Sequence, residues 1–335
     1  MSAIKDVANA AGLSVSVVSK YLKNADSVRD DTRLRIESAI KQLNYIPNAA
    51  ARTLRTGRTN SILVIMPGII NPYFAELFDT IRGVAQSAGY TVLLQTGDET
   101  GDISQVGDPE FSTPSIQRVD GIILCFPERD HSAVKLVSSF SPLPVSILSW
   151  HRLTGLNAGT VVLDVRDGIY QTTKHLISLG HRSFGYIGGH DWSTISGEKR
   201  HGFLQALAEE GVVFDPKLEY HGKYRMETGF DGTGDILEKG NPTAFVAEND
   251  VLAVGCVKYC LQNGISVPDQ VAVTGFDDIA LAAMFEPSIT SARHPLELMA
   301  QAAVRYVVTG GKEESAQVFS AELVVRNSSV KSVIP

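Results

Sequence analysis

Residues 4–24 read IKDVANAAGLSVSVVSKYLKN. Ile4, Val7, Ala8 and Ala11 recur at the spacing of one buried helical stripe. Gly12 can stop that helix by taking a positive φ, and Ser14 stands at an N-cap position before a second one. On the second helix Val18 and Leu22 share a face, while Ser16 and Lys20 project from the opposite side. Helix, glycine turn and helix in so short a span make a helix-turn-helix. A third helix is expected in DDTRLRIESAIKQLN (30–44), where Ile36, Ala39, Ile40 and Leu43 form the apolar stripe. Three such helices bury one another's stripes and leave the polar face of the second unused.

That leftover face fits the major groove of DNA, which admits one helix and meets the side chains near its start. Val15 can pack on a thymine methyl, Ser16 can bond several base edges, and Lys20 suits guanine. A helical hairpin that binds protein would read the same on this segment alone. Charge adds to the DNA reading: residues 1–60 carry net +5 and the remainder −12, giving −7 overall. A basic head on an acidic body points to a polyanionic partner.

The next stretch, YIPNAAARTLRTGRT (45–59), begins with Pro47, which ends the third helix, and Asn48, a cap. Ala49–Ala51 favour helix, but so short a helix does not persist alone in water. Leu54 among Arg52, Arg55 and Arg58 has no core to join. Such a leucine can wedge between base steps in the minor groove while arginines hold phosphates. A flexible basic linker is the alternative.

From residue 61 onward, strand-like runs alternate with amphipathic stretches: SILVIMP, YTVLLQ, DGIILCF, PVSILSW, GTVVLD, SFGYIGG, TAFVAE and QVAVTGF. The pattern implies parallel sheets covered on both faces, and its length implies two such units. A ligand site is expected in the crevice beside the carboxyl ends of the strands. Tyr73 and Phe74 follow the first strand, Asn249 and Asp250 the seventh, Asp277 and Asp278 the eighth. Amides and carboxylates beside aromatic planes suit a polyhydroxylated ligand. Helix capping is the competing role, expected for Asp250 and Asp278, with ligand contact expected for Asn249 and Asp277.

IKDVANAAGLSVSVVSKYL, VRDDTRLRIESAIKQLNYIPNAAARTLRTGRT and NPYFAEL resemble the LacI/GalR family of bacterial transcription regulators over essentially the whole chain. The resemblance implies a small all-α helix-turn-helix head (1–46), a hinge helix and linker (47–60), and a periplasmic-binding-protein-like α/β core (61–335). The core's first parallel-sheet subdomain would span about 61–160 plus 291–320, the second about 161–290 plus 321–335. It further implies a homodimer on pseudo-palindromic, double-stranded operator DNA, probed at base edges by Val15, Ser16 and Lys20. Ser19, Asn48, Arg52, Leu54 and Arg55 would meet the backbone and minor groove. A small carbohydrate-like effector would lie against Tyr73, Phe74, Ser149, Lys199, Tyr224, Asn249 and Asp277, and Val254 and Phe285 would sit in the dimer interface. Departures from the family pattern are Val17 for a phosphate-binding Thr, Lys20 for Arg, Lys23 for Asn, Ser149 for Asp and Lys199 for Arg. TGDETGDISQVGDPEFSTPS (96–115) is rich in glycine and proline where the family has a charged helix.

Other functions find little support. Cys125, Cys256 and Cys260 form no even disulfide framework, and the eight histidines lack metal-ligand spacing. GFDGTGDIL (229–237) is expected to be a glycine-containing helix or bend rather than a phosphate loop. Ser291 and His294 are expected at a cap and on the surface. Neither a GxSxG elbow nor a Walker motif occurs, so no enzyme, metal or cofactor is expected. The start shows no signal peptide and no run long enough to span a membrane, so a cytoplasmic protein is expected. VVRNSSVKSVIP at the end carries no leucine heptads, which favours a twofold dimer over a coiled-coil tetramer. A regulator answering to a partner protein or a non-sugar metabolite, and a solute-binding protein, are the alternatives. The first 58 residues argue against the last.

Overall fold

In a computed structural model, residues 3–45, 57–97, 119–126, 137–151, 153, 155–190, 193–312 and 316–330 are described. Asn48, Arg52, Leu54 and Arg55, and most of the glycine-rich stretch 96–115, lie outside them. The chain divides into two compact units, Met1–Thr59 and Asn60–Pro335.

In the first unit, α1 (Ile4–Ala11), α2 (Val15–Lys23) and α3 (Asp30–Gln42) close on Val7, Ala8, Val18, Ile36 and Ala39. Gly12 ends α1 at φ 64°, where a side chain would be strained. A Cβ there would also stand 2.7 Å from the Arg35 guanidinium, which donates to the carbonyls of Ala11 and Gly12 at 2.6 and 3.1 Å. Arg35 thereby ties α3 to the turn. Ser14 occupies the N-cap of α2, but its hydroxyl bonds Ser16 Oγ at 2.8 Å instead of a backbone N–H.

The second unit holds two six-stranded sheets. The first contains β1 (Ser61–Met66), β2 (Thr91–Thr96), β3 (Gly121–Cys125), β4 (Val145–Ser149), β5 (Gly159–Asp164) and β11 (Ala316–Ser320). Their order is β11-β5-β4-β3-β1-β2, all parallel. The second contains β6 (Phe184–Gly188), β7 (Glu219–His221), β8 (Ala244–Ala247), β9 (Ala272–Asp277), β10 (Thr290–Arg293) and β12 (Glu322–Val324). Its order is β12-β10-β9-β8-β6-β7, parallel except for β12. Alternate side chains of β1 enter two cores: Ile62 and Val64 on one face, Leu63 and Ile65 on the other. A strand buried on both faces reads as a continuous apolar run, as SILVIM does.

The helices of this unit are α4 (Pro72–Ser87), α5 (Val165–Ser178), α6 (Thr194–Glu209), α7 (Met226–Lys239), α8 (Asp250–Gln262), α9 (Ala280–Met284) and α10 (Leu296–Val308). The chain passes between sheets three times. β5 belongs to the first sheet and α5 starts at the next residue; β10 closes the second sheet before α10 packs on β3, β4 and β5 of the first. Ala321 alone separates β11 from β12. The first two crossings fall a few residues after the expected 160 and 290, so 161–164 complete the first sheet and 291–293 the second, and the third lies at 321, next to the expected 320. Among the described residues, no helix is long and apolar enough to cross a membrane.

Glycines explain one close contact. GFDGTGDIL is part of α7, and a Cβ on Gly229 would lie 2.0 Å from the Leu252 carbonyl oxygen of α8. From α8, a Cβ on Gly255 would lie 2.1 Å from the Met226 oxygen. The two helices touch through their backbones.

At the sheet edge, β7 is held by charge. Arg200 grips Glu219 through Nε and Nη2 at 2.5 and 2.8 Å, and His221 Nε2 lies 2.6 Å from the same carboxylate. Burial opposes ionisation of Glu219, but the hydrogen bonds from His221 and Arg200 outweigh it and hold its pKa at about 2. His221 Nδ1 meets the Gly189 carbonyl at 3.0 Å. Both ring nitrogens face acceptors, so the imidazolium fits and its pKa is raised, chiefly by the Glu219 hydrogen bond.

Two outcomes follow for stability. Gly229→Ala forces α7 and α8 apart and should cost about 1–3 kcal/mol in urea unfolding. A raised histidine pKa stabilises the fold fully below the unfolded value of 6.5 and progressively less as pH climbs through the folded value. The stability gap between wild type and His221→Gln should therefore narrow from pH 6 toward pH 9, and an unchanging gap would refute the imidazolium.

Candidate functional site

In the first unit the polar side of α2 is open. Val15 is 42% exposed, Ser16 and Lys20 are exposed, and Ser19 is half-buried. Val18, on the opposite side, is fully buried. Tyr21 Oη donates to Glu37 at 3.1 Å and Arg33 Nε to the same carboxylate at 2.9 Å, which fixes α2 against α3. The helix therefore presents Val15, Ser16 and Lys20 from a rigid base.

In the second unit the carboxyl ends of the two sheets face each other. Tyr73, at the start of α4, and His294, just after β10, bring their rings to 4.7 Å across the divide. Glu76 Oε1 accepts the Ala280 N–H at 2.9 Å, also across it. In both sheets the chain order reverses at the same place, between β1 and β3 and between β6 and β8. Connections leave such a point in opposite directions and open a crevice. Pro72 at the start of α4, with Asn71 Oδ1 capping the Tyr73 N–H, aims Tyr73 and Phe74 into it.

The first sheet contributes an aromatic wall. Phe126 and Trp150 stack at 3.6 Å and 11°, Tyr73 lies 6.1 and 6.5 Å from them, and Phe74 lies 5.3 Å from Tyr73. Phe126 has φ 54°, a conformation that costs a bulky residue about 1–3 kcal/mol. Ser149, next to Trp150 in the chain, is fully buried, and its Oγ accepts from the His151 backbone nitrogen at 3.4 Å. A cavity of about 300 Å³ opens beside Trp150, lined also by His151, Asp164, Arg166 and Glu198. It does not extend to Lys199 or Asp277, which are packed in.

Polar groups come from the second sheet. Glu248, fully buried, accepts from Tyr186 Oη at 2.8 Å, the Gly189 N–H at 2.9 Å, Ser196 Oγ at 2.6 Å and Tyr224 Oη at 2.7 Å. Lys199 is 3% exposed and donates to the Glu248 carbonyl at 2.7 Å. Its Nζ lies 4.3 Å from the Phe276 ring centre and 5.6 Å from that of Tyr224. Burial lowers its pKa, and Asp277 and Glu248 partly restore it. Asn249 caps α8 through Oδ1 to the Leu252 N–H at 2.9 Å. Asp277, at φ 106°, accepts from His294 Nε2 at 3.0 Å.

Among the described residues, the buried atoms Tyr73 Oη, Asn249 Nδ2 and His294 Nδ1 have no hydrogen-bond partner. Each such atom costs about 1–3 kcal/mol when left unsatisfied, and the Tyr73 and His294 rings that carry two of them lie 4.7 Å apart.

Several expectations change. Asp250 and Asp278 are structural, though not as helix caps. Asp250 accepts from Ser291 Oγ at 2.6 Å and the Ile279 N–H at 2.8 Å; burial, with Asp277 nearby, raises its pKa well above the usual range. Asp278 pairs with Arg293 and Arg326, both at 2.6 Å. Ser291 and His294 are buried, not on the surface. Val254 is fully buried within one chain, so it packs the core and offers no area to a second copy. Phe285 is half-buried beside Met284, which is 83% exposed. Lys199 is no solvated surface lysine.

Sequence reasoning missed Phe126, Trp150, Glu248 and His294. Phe126, Trp150 and Glu248 each lie just past the end of a strand, and that position was the signal available.

Comparison with known proteins places both units. Residues 3–48 match the model for bacterial regulatory proteins of the lacI family, and residues 173–329 match a periplasmic binding protein-like domain. The HTH-type transcriptional regulator DegA of Bacillus subtilis is 34% identical over 97% of both chains. The HTH-type transcriptional repressor PurR of Haemophilus influenzae is 32% identical over the full length of both. A solved complex of the transcriptional regulator CelR with cellobiose superposes with a TM-score of 0.70 at 26% identity, covering 98% of this chain and 100% of that one. With an open helix-turn-helix face, a two-sheet core and relatives matched end to end, this chain belongs to the lacI family of bacterial regulatory proteins, DNA-binding transcriptional regulators rather than enzymes.

Proposed function

We propose that the chain represses transcription as a homodimer on a pseudo-palindromic operator, and that a carbohydrate-like effector bound between the core's two sheets sets its operator affinity. The buried, unpartnered polar atoms of Tyr73 and His294, on rings 4.7 Å apart beside an aromatic wall, carry the effector half of this reading. Aromatic planes cover the C–H faces of a sugar, while amides, carboxylates and an ammonium bond its hydroxyls. The CelR–cellobiose complex supports the carbohydrate class by analogy. Tyr73, Phe74, Ser149, Lys199, Tyr224, Asn249 and Asp277 form the proposed site, with Ser149 and Tyr224 acting from behind the wall and through Glu248.

On DNA, α2 lies in the major groove with Val15, Ser16 and Lys20 at base edges and Ser19 at the backbone. Residues 47–60 form the hinge, with Leu54 in the minor groove and Asn48, Arg52 and Arg55 on the backbone. An effector that prefers one arrangement of the two core halves shifts operator affinity by that preference and no more. Phe285 and the exposed Met284 belong to the surface proposed for the dimer.

Exchanging Val15, Ser16 and Lys20 for another set should change the consensus recovered by operator selection, at about 1–3 kcal/mol per good base contact. The same consensus from the exchanged protein would remove these residues from base reading. Screening a sugar panel by calorimetry tests the effector class. With a binding sugar in hand, Lys199→Met should abolish its influence on operator affinity while binding of the effector-free protein to DNA stays within about threefold, or about 0.7 kcal/mol. A variant that responds to the sugar like wild type would exclude Lys199 from the site.

A further inference from the structure

The turn after β9 presents three successive backbone N–H groups, and each meets an acceptor from a different element. The Asp278 N–H donates to Ser291 Oγ of β10 at 3.0 Å, and the Ile279 N–H to Asp250 Oδ2 of α8 at 2.8 Å. The Ala280 N–H donates to Glu76 Oε1 at 2.9 Å. The first two acceptors belong to the second subdomain, but Glu76 belongs to the first. It lies on α4, three residues after Tyr73 and on the same side of that helix, and 204 residues from Ala280.

Local sequence leaves the third N–H to this distant carboxylate. Ala280 opens α9, and the N-cap before it is Ile279, whose side chain cannot accept. The turn itself is rigid. Asp277 and Asp278 stand at φ 106° and 54°, a region that residues other than glycine hold only where their surroundings over-determine it. The Asp278 carboxylate, 4% exposed, pairs with Arg293 and Arg326, both at 2.6 Å. Arg293 ends β10 just before the second crossing, and Arg326 follows β12, the strand after the third. A force on Ala280 therefore reaches two of the three crossings instead of being absorbed by a loose loop.

The two kinds of contact differ in how easily they part. Asp278 is sealed in, whereas Glu76 is half-buried and Ala280 exposed, so water can replace either partner when the halves separate. A carboxylate accepts more strongly than a neutral oxygen, which favours the joined state. We infer that Glu76 is a latch across the core: by holding the Ala280 N–H it favours the arrangement with the two sheet ends together, and its release frees the second subdomain to move about the crossings. This rests on the reading that the arrangement of the core halves sets operator affinity, and adds to it a contact made by the chain itself.

The test uses the full-length protein, residue-resolved amide exchange and an operator duplex recovered by selection from random sequence. Glu76→Ala should speed exchange of the Ala280 amide about tenfold or more, while the Asp278 and Ile279 amides, held by Ser291 and Asp250, keep their wild-type rates. It should also change operator affinity about fivefold or more. Glu76→Gln, whose amide oxygen still accepts, should fall between Glu76→Ala and wild type in both. The three native thiols are buried, so a short bismaleimide can tether the Glu76→Cys/Ala280→Cys variant across the cleft. The tether should move operator affinity in the direction opposite to Glu76→Ala. Equal Ala280 exchange in wild type and Glu76→Ala would overturn the latch, and so would operator affinity unmoved by both the substitution and the tether. A selection that recovers no duplex would instead defeat the operator reading, and exchange at Ala280 would then decide the latch alone.

Discussion

A carboxylate taken out of water must be given donors or it gives up its charge. Glu248 is given four, from Tyr186, Gly189, Ser196 and Tyr224. These come from β6, the turn after it, the first turn of α6 and the segment leading into α7. One side chain therefore fixes where four pieces of the second subdomain stand relative to β8. Lys199 bonds the carbonyl of the same residue, and Asn249 is the next in sequence. The carboxylate positions the Tyr224 hydroxyl, and the backbone of the same residue positions the ammonium. The glycines nearby belong to the same constraint. A Cβ on Gly189 would collide with the Tyr224 ring at 2.2 Å, and one on Gly188 with Glu248 at 2.8 Å.

Around this anchor the second subdomain divides its charges by role. Asp250 and Asp277 lie close, and burial of both disfavours two negative charges. Asp250 takes the raised pKa and two internal hydrogen bonds, which make it a strut. Asp277, also buried, accepts from His294 Nε2. Lys199 is held by one carbonyl and two aromatic faces, with no carboxylate within salt-bridge distance among the described residues. An ammonium in that setting is sensitive to any ligand that changes its surroundings, because a desolvated charge interacts more strongly than one in water.

The two subdomains repeat one strand order, and the chain weaves between them three times. Neither sheet is complete without strands from the end of the chain: β11 closes the first and β12 the second. A displacement of one subdomain against the other must therefore pass through 164–165, 294–295 and 321. His294 lies in one of these crossings, between Tyr73 and Asp277. A ligand seated there touches a hinge as well as both walls, and geometry of this kind lets occupancy bias the arrangement of the two halves.

Local pattern determined a good deal without the fold. The stripe of Ile4, Val7, Ala8 and Ala11, the glycine at 12 and the opposed faces of α2 are set by neighbours within one or two turns, and so the head is legible from its residues. The same holds for β1, β3 and β4, whose long apolar runs report burial on both faces. Sequence also placed Tyr73, Asn249 and Asp277 at strand ends, where a crevice forms. Tertiary structure alone decided the rest. β7, β10, β11 and β12 are three to five residues long, and β7, β11 and β12 are only partly covered, so their pairing comes from strands far away in sequence. Lys199, Ser291 and His294 look like surface residues in isolation, because polar side chains usually are. They are buried because Phe276, Asp250 and Asp277 meet them across more than fifteen residues of chain, or more than forty. Val254 follows the opposite logic: its apolar character does not say which apolar surface it will meet, and the packing of α8 against α7 settles that it is its own.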